Sequence, residues 1–369
     1  MNSFLEKTKP IQNIFRLSLF CSLIILMVAC EEDEASRLGM LPPAHGSNDE
    51  ILVIADSRAW AMNHKEVAEA VFKRDFIGLP QIEPVFDMRH VSYDEFSNLF
   101  RRIRNIVFIA TQDENTEMAQ FIRRNISESN SSNILENPDF LYFFKREVWA
   151  KPQLVLFFFP KNRETLAELM ENQADNIISL IQEHELKRYR ALTFFKEKQP
   201  RLMNDIHKNT GIKMQIPGEF LTAKTDEQSY YWLRRDIDDA SMHLFIYGKD
   251  VSRDTLGRNP GIHLRDELGK FVETPTPGAF MKTEHNLRHF ETEIQINNKN
   301  IMVTRGLWRM ENDFMGGPFL NYTWFDESKN KIYMVDGFVY APAVRKRKYV
   351  RKLEAILSTI DFEEVVANL

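Results

Sequence analysis

Beyond position 30 the sequence contains no cysteine. That absence removes disulfides, cysteine-based zinc sites and thiol nucleophiles from the bulk of the chain. It also suits an oxidising compartment, where stray thiols pair wrongly. A Gly-x-Ser-x-Gly elbow, a His-Glu-x-x-His pair and a glycine loop ending in lysine are all missing too. No short motif therefore points to a serine hydrolase, a zinc protease or a phosphate cradle, and no cofactor is implied. No uncharged apolar run reaches the roughly 18 residues that a membrane-spanning helix needs. Positive charge is not in excess either: the net charge is −5, and because residues 1–29 carry Lys7, Lys9 and Arg16 against Glu6, the remainder stands near −7. A nucleic-acid partner is disfavoured on that ground. What is present is ordinary globular composition, 43% hydrophobic and 27% charged over 369 residues, enough for two or three domains or one large one.

The N-terminus reads as an address. Basic residues precede Leu17 to Ala29, "LSLFCSLIILMVA", a 13-residue uncharged run with the length and flanks of a signal-peptide core. With the small Ala29 directly before Cys30, the stretch resembles a bacterial lipobox, departing from it at Met27, where leucine is commonest. The resemblance implies that residues 1–29 are a lipoprotein signal peptide, that the Cys30 thiol receives a diacylglycerol, and that acyl chains hold the protein on a membrane. Each buried methylene contributes about 0.8 kcal/mol, so two or three chains anchor stably where one does not. Glu31, Glu32, Asp33 and Glu34 come directly after the cysteine. They read either as a solvated start to a tether or, by resemblance, as the export signal that carries lipoproteins of Bacteroidota to the cell surface.

The rest divides by rhythm. Residues 30–49 are acidic and then rich in Pro, Gly and small polar residues, and read as a tether. Residues 50–209 alternate short apolar strands ("ILVIA", "NIVFIA", "QLVLFFFP") with helical patterns, and are expected to form an α/β-type domain. Capping boxes are read at Asn63 with Glu66 and at Ser92 with Glu95, the second opening an amphipathic helix through Phe96, Leu99, Phe100 and Ile103. Asn162 opens a long helical stretch that is one bent helix or a hairpin of two. Residues 210–369 are expected to form a β-rich domain: strands run from "GIKMQIPGEF" to "KIYMVDGFVY", turning at "NNKN" and "ESKN", with a helix near Pro260 to Phe271 and a closing one near Val344 to Leu357. The fold class expected is α+β.

Few constellations carry chemistry. His285 and His289 are spaced to put two imidazoles on one helical face, but a solvated strand entry explains them better, and no metal is assigned. Asp236, Asp238 and Asp239 beside Arg234 and Arg235 read as a self-neutralising surface rather than paired catalytic acids. Gly316 and Gly317 read as a turn needing positive φ, stiffened by Pro318. Tyr230, Tyr231, Trp232, Trp308, Tyr322 and Trp324 lie on strands and read mainly as core. In "RKRKYVRK", Arg345 to Lys352, the charges read as the outer face of the last helix. Asp254-Thr255-Leu256 resembles the O-glycosylation site of Bacteroidota, making Thr255 a candidate for modification.

The stretches "GSNDEILVIAD", "RRIRNIVFIA", "REVWAKPQLV", "MGGPFLNYTWFD" and "DGFVYAPAVRKRKYVRKLEAIL" together resemble a family of uncharacterised Bacteroidota lipoproteins, a domain of unknown function. The C-terminal succession of strands ending in "GFVYAP" and a helix is weakly similar to Mog1/PsbP-type sheets, a likeness of fold alone. What the resemblance implies is a lipid-anchored outer-membrane protein on the surface or periplasmic face. Its partners would be the membrane and an envelope protein or glycan. The expected role is non-catalytic binding or assembly, with an envelope hydrolase acting on glycan or peptide as the alternative.

Overall fold

The computed structural model describes residues 41–126, 136–296 and 299–362. It is a mixed α+β fold whose first half alternates strands and helices and whose second half is an antiparallel sheet closed by a helix. The first sheet holds β1 (Glu50–Ala55), β2 (Asp87–Ser92), β3 (Asn105–Ile109), β4 (Tyr142–Arg146) and β5 (Leu154–Phe158) in the order β2-β1-β3-β5-β4. β1, β2, β3 and β5 are parallel, and only the edge strand β4 is antiparallel. Both faces are covered at the centre of the sheet, which is why β1, β3 and β5 are nearly uninterrupted apolar runs. Ile51, Val53, Val107 and Phe158 face one core, and the alternate residues Leu52, Ile54, Phe108 and Phe157 face another.

The helices of this lobe are α1 (Lys65–Phe72), α2 (Glu117–Asn125), α3 (Arg163–Asn172) and α4 (Ala174–Thr193). The Asn162 stretch is thus two helices, separated at Gln173. Two capping expectations fail. The helical segment leading to α1 starts at Asp56, whose side chain accepts from the amides of Arg58 and Ala59, and continues through a π-helical turn, Trp60–His64. Ser92 ends a strand instead of opening a helix: its hydroxyl is engaged by the Ser57 and Asp94 side chains, and the chain continues into two 3-10 turns, Tyr93–Glu95 and Phe100–Arg102. Phe96 packs on Phe108 and Trp149, and Phe100 and Ile103 join the same core, so the apolar spacing is real although the helix is not.

The second sheet comprises β6 (Leu221–Thr225), β7 (Tyr230–Ile237), β8 (Ala240–Asp250), β9 (Phe280–Thr283), β10 (Phe290–Ile296), β11 (Lys299–Glu311), β12 (Gly316–Asp326) and β13 (Lys331–Tyr340). The order is β10-β11-β12-β13-β8-β7-β6, with β9 also pairing β11. Helix α6 (Pro260–Gly269) covers one face, where Ile262 and Leu268 meet Phe245, Trp308 and Phe338. Helices α5 (Pro200–Thr210) and α7 (Arg347–Leu357) cover the other, and there Leu320, Val335, Leu353 and Ile356 join a core continuous with that of the first lobe. "GIKMQIPGEF" is not a strand. It makes only isolated bridges, Lys213 with Asp361 and Lys198 with Pro217, while Ile212, Met214 and Ile216 are buried. Gly316 and Gly317 lie inside β12 at negative φ rather than in a turn; a Cβ on Gly317 would meet the Val339 carbonyl oxygen at 2.0 Å. Close backbone approach is what needs that glycine.

Candidate functional site: an apolar groove between the lobes

The groove exists because the lobes are fixed against each other, and the basic run of α7 does the fixing. Lys346, Arg347 and Arg351 are 4–5% exposed, so part of the charge expected on the outer face is buried. The physical reason is a set of acids on the first lobe. Asp49, 1% exposed, lies 3.5 Å from Arg347 Nε and 3.7 Å from Arg351 Nε, and accepts from the Tyr189 hydroxyl at 2.7 Å. Glu185 of α4 accepts from the Asp49 amide at 3.0 Å and from Asn105 Nδ2 at 2.9 Å. Arg351 donates to Glu354 at 2.8 Å, and Arg305 of β11 donates to the other oxygen of that carboxylate at 2.7 Å. Burial raises the Asp49 carboxyl above its ordinary value despite Arg351 and Tyr189. Burial also raises Glu354, but Arg351 and Arg305 outweigh it and the carboxyl ends below its ordinary value. A buried ion pair left with one partner is costly, so these pairs hold the seam in one arrangement.

Glu83 completes the clasp. Its carboxylate, 3% exposed, accepts from the amides of Lys346 at 2.6 Å and Arg347 at 3.1 Å. A side chain of the first lobe thereby serves the N-terminus of α7, which has no side-chain cap of its own.

Between α1 and Glu83 runs the loop Asp75 to Ile82, laid on the second sheet. Phe76 lies under the guanidinium groups of Arg305 and Arg351, 5.7 and 5.1 Å from its ring centre. Gly78 has φ +87°, and a Cβ there would stand 3.0 Å from that of Arg305. The loop and the residues around Leu287, Phe290 and Leu307 enclose a groove of about 350 Å³. Its rim leaves Ile77, Ile82 and Leu287 52%, 85% and 51% exposed. Arg288 lies over the Phe290 ring at 5.2 Å from its centre. Such a surface offers apolar burial with one cation and one carboxylate, Arg288 and Asp75, in its lining, and therefore suits binding better than bond breaking.

The other sequence candidates lie elsewhere. Cys30, Glu31, Glu32, Asp33 and Glu34 fall outside the described residues, as do positions 297 and 298 of the "NNKN" turn. Thr255 is exposed on a 3-10 turn, its hydroxyl donating to the Ser252 carbonyl at 2.7 Å. His285 and His289 sit between β9 and β10 and not on a helix; their rings are 5.9 Å apart, and His285 is paired with Asp266 at 2.7 Å. No group of three potential metal ligands occurs among the described residues. Asp236 accepts from Arg234 and Ser241, and Asp239 from the Tyr349 hydroxyl. Of the six aromatics singled out in the sequence, all but Trp232 are buried. The groove loop itself has no counterpart among the elements expected from the sequence. Its signal was three large aliphatics, Ile77, Leu79 and Ile82, in a stretch too rich in Gly and Pro to hide them in a helix or strand.

Residues 44–193 match the family model of a domain of unknown function (DUF8532), and residues 199–359 match that of another domain of unknown function (DUF4837). The two matches part between α4 and α5. No curated protein matches the chain. Among the described residues no helix is long and apolar enough to cross a membrane.

Proposed function

We propose that the protein is a non-catalytic binding module of the cell envelope, held at the outer membrane by acyl chains on Cys30, and that its groove receives an apolar segment of another envelope protein. The contiguous exposure of Ile77, Ile82 and Leu287 around a cavity carries this reading. Arg288 and Asp75, both in the lining, add a preference for a segment that carries charges of both signs. A photo-crosslinking amino acid at position 82, in cells that naturally make the protein, should give a discrete adduct that the same probe at the exposed Thr255 does not give. Identical adducts at both positions would remove the groove from consideration. The alternative, a hydrolase acting on envelope glycan or peptide, is tested by turnover of those polymers.

The anchor is tested separately. Cys30→Ser should leave residues 1–29 attached, with their apolar run, and take the protein out of the outer-membrane fraction. Neutralising Glu31, Glu32, Asp33 and Glu34 should spare acylation and abolish cleavage by protease added to whole cells. If the neutralised variant is cleaved like wild type, the export role of the acids fails while the anchor stands.

A further inference from the structure

The carboxyl edge of the first sheet holds polar groups that the fold does not satisfy. β1 leads on to β2 on one side, and the chain then returns to place β3 on the other side of β1, so the order reverses between β1 and β3. Open parallel sheets bind ligands in the crevice at such a reversal, beyond the carboxyl ends of the strands. Three helical segments begin there, capped by Asp56, Thr116 and Asn162 after β1, β3 and β5.

His64, at the end of the π-helical turn, is 0% exposed, and its Nε2 lies 3.3 Å from Glu114 Oε1. The two are not aligned as a hydrogen bond. Both ring nitrogens of His64, both carboxyl oxygens of Glu114 and Asn63 Oδ1 are buried without a hydrogen-bond partner among the described residues. The Glu114 side chain keeps 8% exposure, so the pair lies just beneath the surface although its carboxyl oxygens are buried. Near the pair stands Arg163, the first residue of α3, whose guanidinium meets Met62 Sδ at 3.4 Å. π-Helical turns and buried unpaired polar groups both concentrate at functional sites.

We propose that this edge is a second binding site, independent of the groove, that takes a free α-amino acid, its carboxylate on Arg163 and its ammonium on Glu114 and His64. The chemistry matches group by group. Arg163 offers a planar fork for a carboxylate next to a helix N-terminus, where negative charge is favoured. An ammonium carries three N–H donors and meets two acceptors that a single hydroxyl would leave partly unsatisfied. Burial pushes His64 down to about 4, aided by Arg163, so its imidazole is neutral at pH 7 and able to accept. Burial raises the Glu114 carboxyl, a penalty that an arriving ammonium relieves.

Calorimetric titration of the full-length protein in detergent micelles, with a panel of free amino acids in both enantiomers, tests this. At least one should bind saturably while propionate and propylamine, each carrying one of the two charges, do not. Arg163→Gln and Glu114→Gln should each weaken that binding at least about tenfold with circular dichroism unchanged, and Leu287→Asp, in the groove, should leave it intact. Saturable heat from no amino acid, or binding that survives both carboxyl-edge substitutions, overturns the proposal without touching the groove.

Discussion

His243 shows at one residue how burial writes a pH dependence. Its ring stacks on Phe338 at 4.5 Å, and its Nδ1 accepts from Trp232 Nε1 at 3.2 Å. Burial pushes its pKa down to about 3, aided by Arg234. The unfolded chain, titrating near 6.5, therefore binds the proton more tightly. The stability that His243 contributes is complete above pH 6.5 and is lost as pH falls toward 3, roughly 2 to 3 kcal/mol of it between pH 7 and 4.5. His243→Phe should cost about 1 kcal/mol at pH 7, through the stranded Trp232 donor. The same variant should flatten the decline in urea stability on acidification, and a decline as steep as wild type would refute the assignment. None of this was legible from "SMHLFIYGK", where a histidine between apolar residues fits either face of a strand. Gly316 and Gly317 teach the same point: glycine marks either positive φ or close approach, and only the neighbouring backbone, Trp308 for the first and Val339 for the second, decides between them.

Among the elements, the strands were read well because burial patterns them, while the helix starts at Asn63 and Ser92 were misread because of capping. β1, β3, β5 and the strands from β7 onward, apart from the four-residue β9, announce themselves because burial on one or both faces forces apolar patterns upon them. β2, "DMRHVS", is too polar to announce itself: it is an edge strand, with only Val91 and Ser92 buried. The Ser92 box failed because its hydroxyl found side-chain partners before it could find a helix amide. The converse case is α7, whose start is served by Glu83 from 263 residues away, beyond any local rule. Glu83→Ala should cost about 1 to 3 kcal/mol, since two buried amides lose their acceptor. Glu83→Gln, which keeps an acceptor for one amide but sets an N–H donor against the other, should recover only part of that loss. The ordering is read from urea midpoints, and equal losses would mean that one acceptor oxygen is not enough to serve the helix start.

For the whole molecule, the change from alternating elements to successive strands made the α+β class legible, but the seam was not. Charged residues on a helix with an apolar stripe look like a solvated face, and Arg347 and Arg351 are buried only because Asp49 and Glu354 wait for them. With one hydrophobic core running through both lobes and charges paired across it, the protein should unfold in a single calorimetric transition. Arg351→Ala should lower the midpoint by several degrees while keeping the transition single, because Glu354 and Asp49, buried on either side of the seam, each lose one of two cationic partners. Two resolved transitions in the wild type would mean that the lobes are energetically separate. The clasp also makes the halves legible to each other. If the chain were cut between α4 and α5, one fragment would hold Asp49 and Glu83 and the other Arg347 and Arg351. Neither could bury its charges alone, and each would be a specific receptor for its complement, so that reassembly in trans could report on whether the two fragments meet.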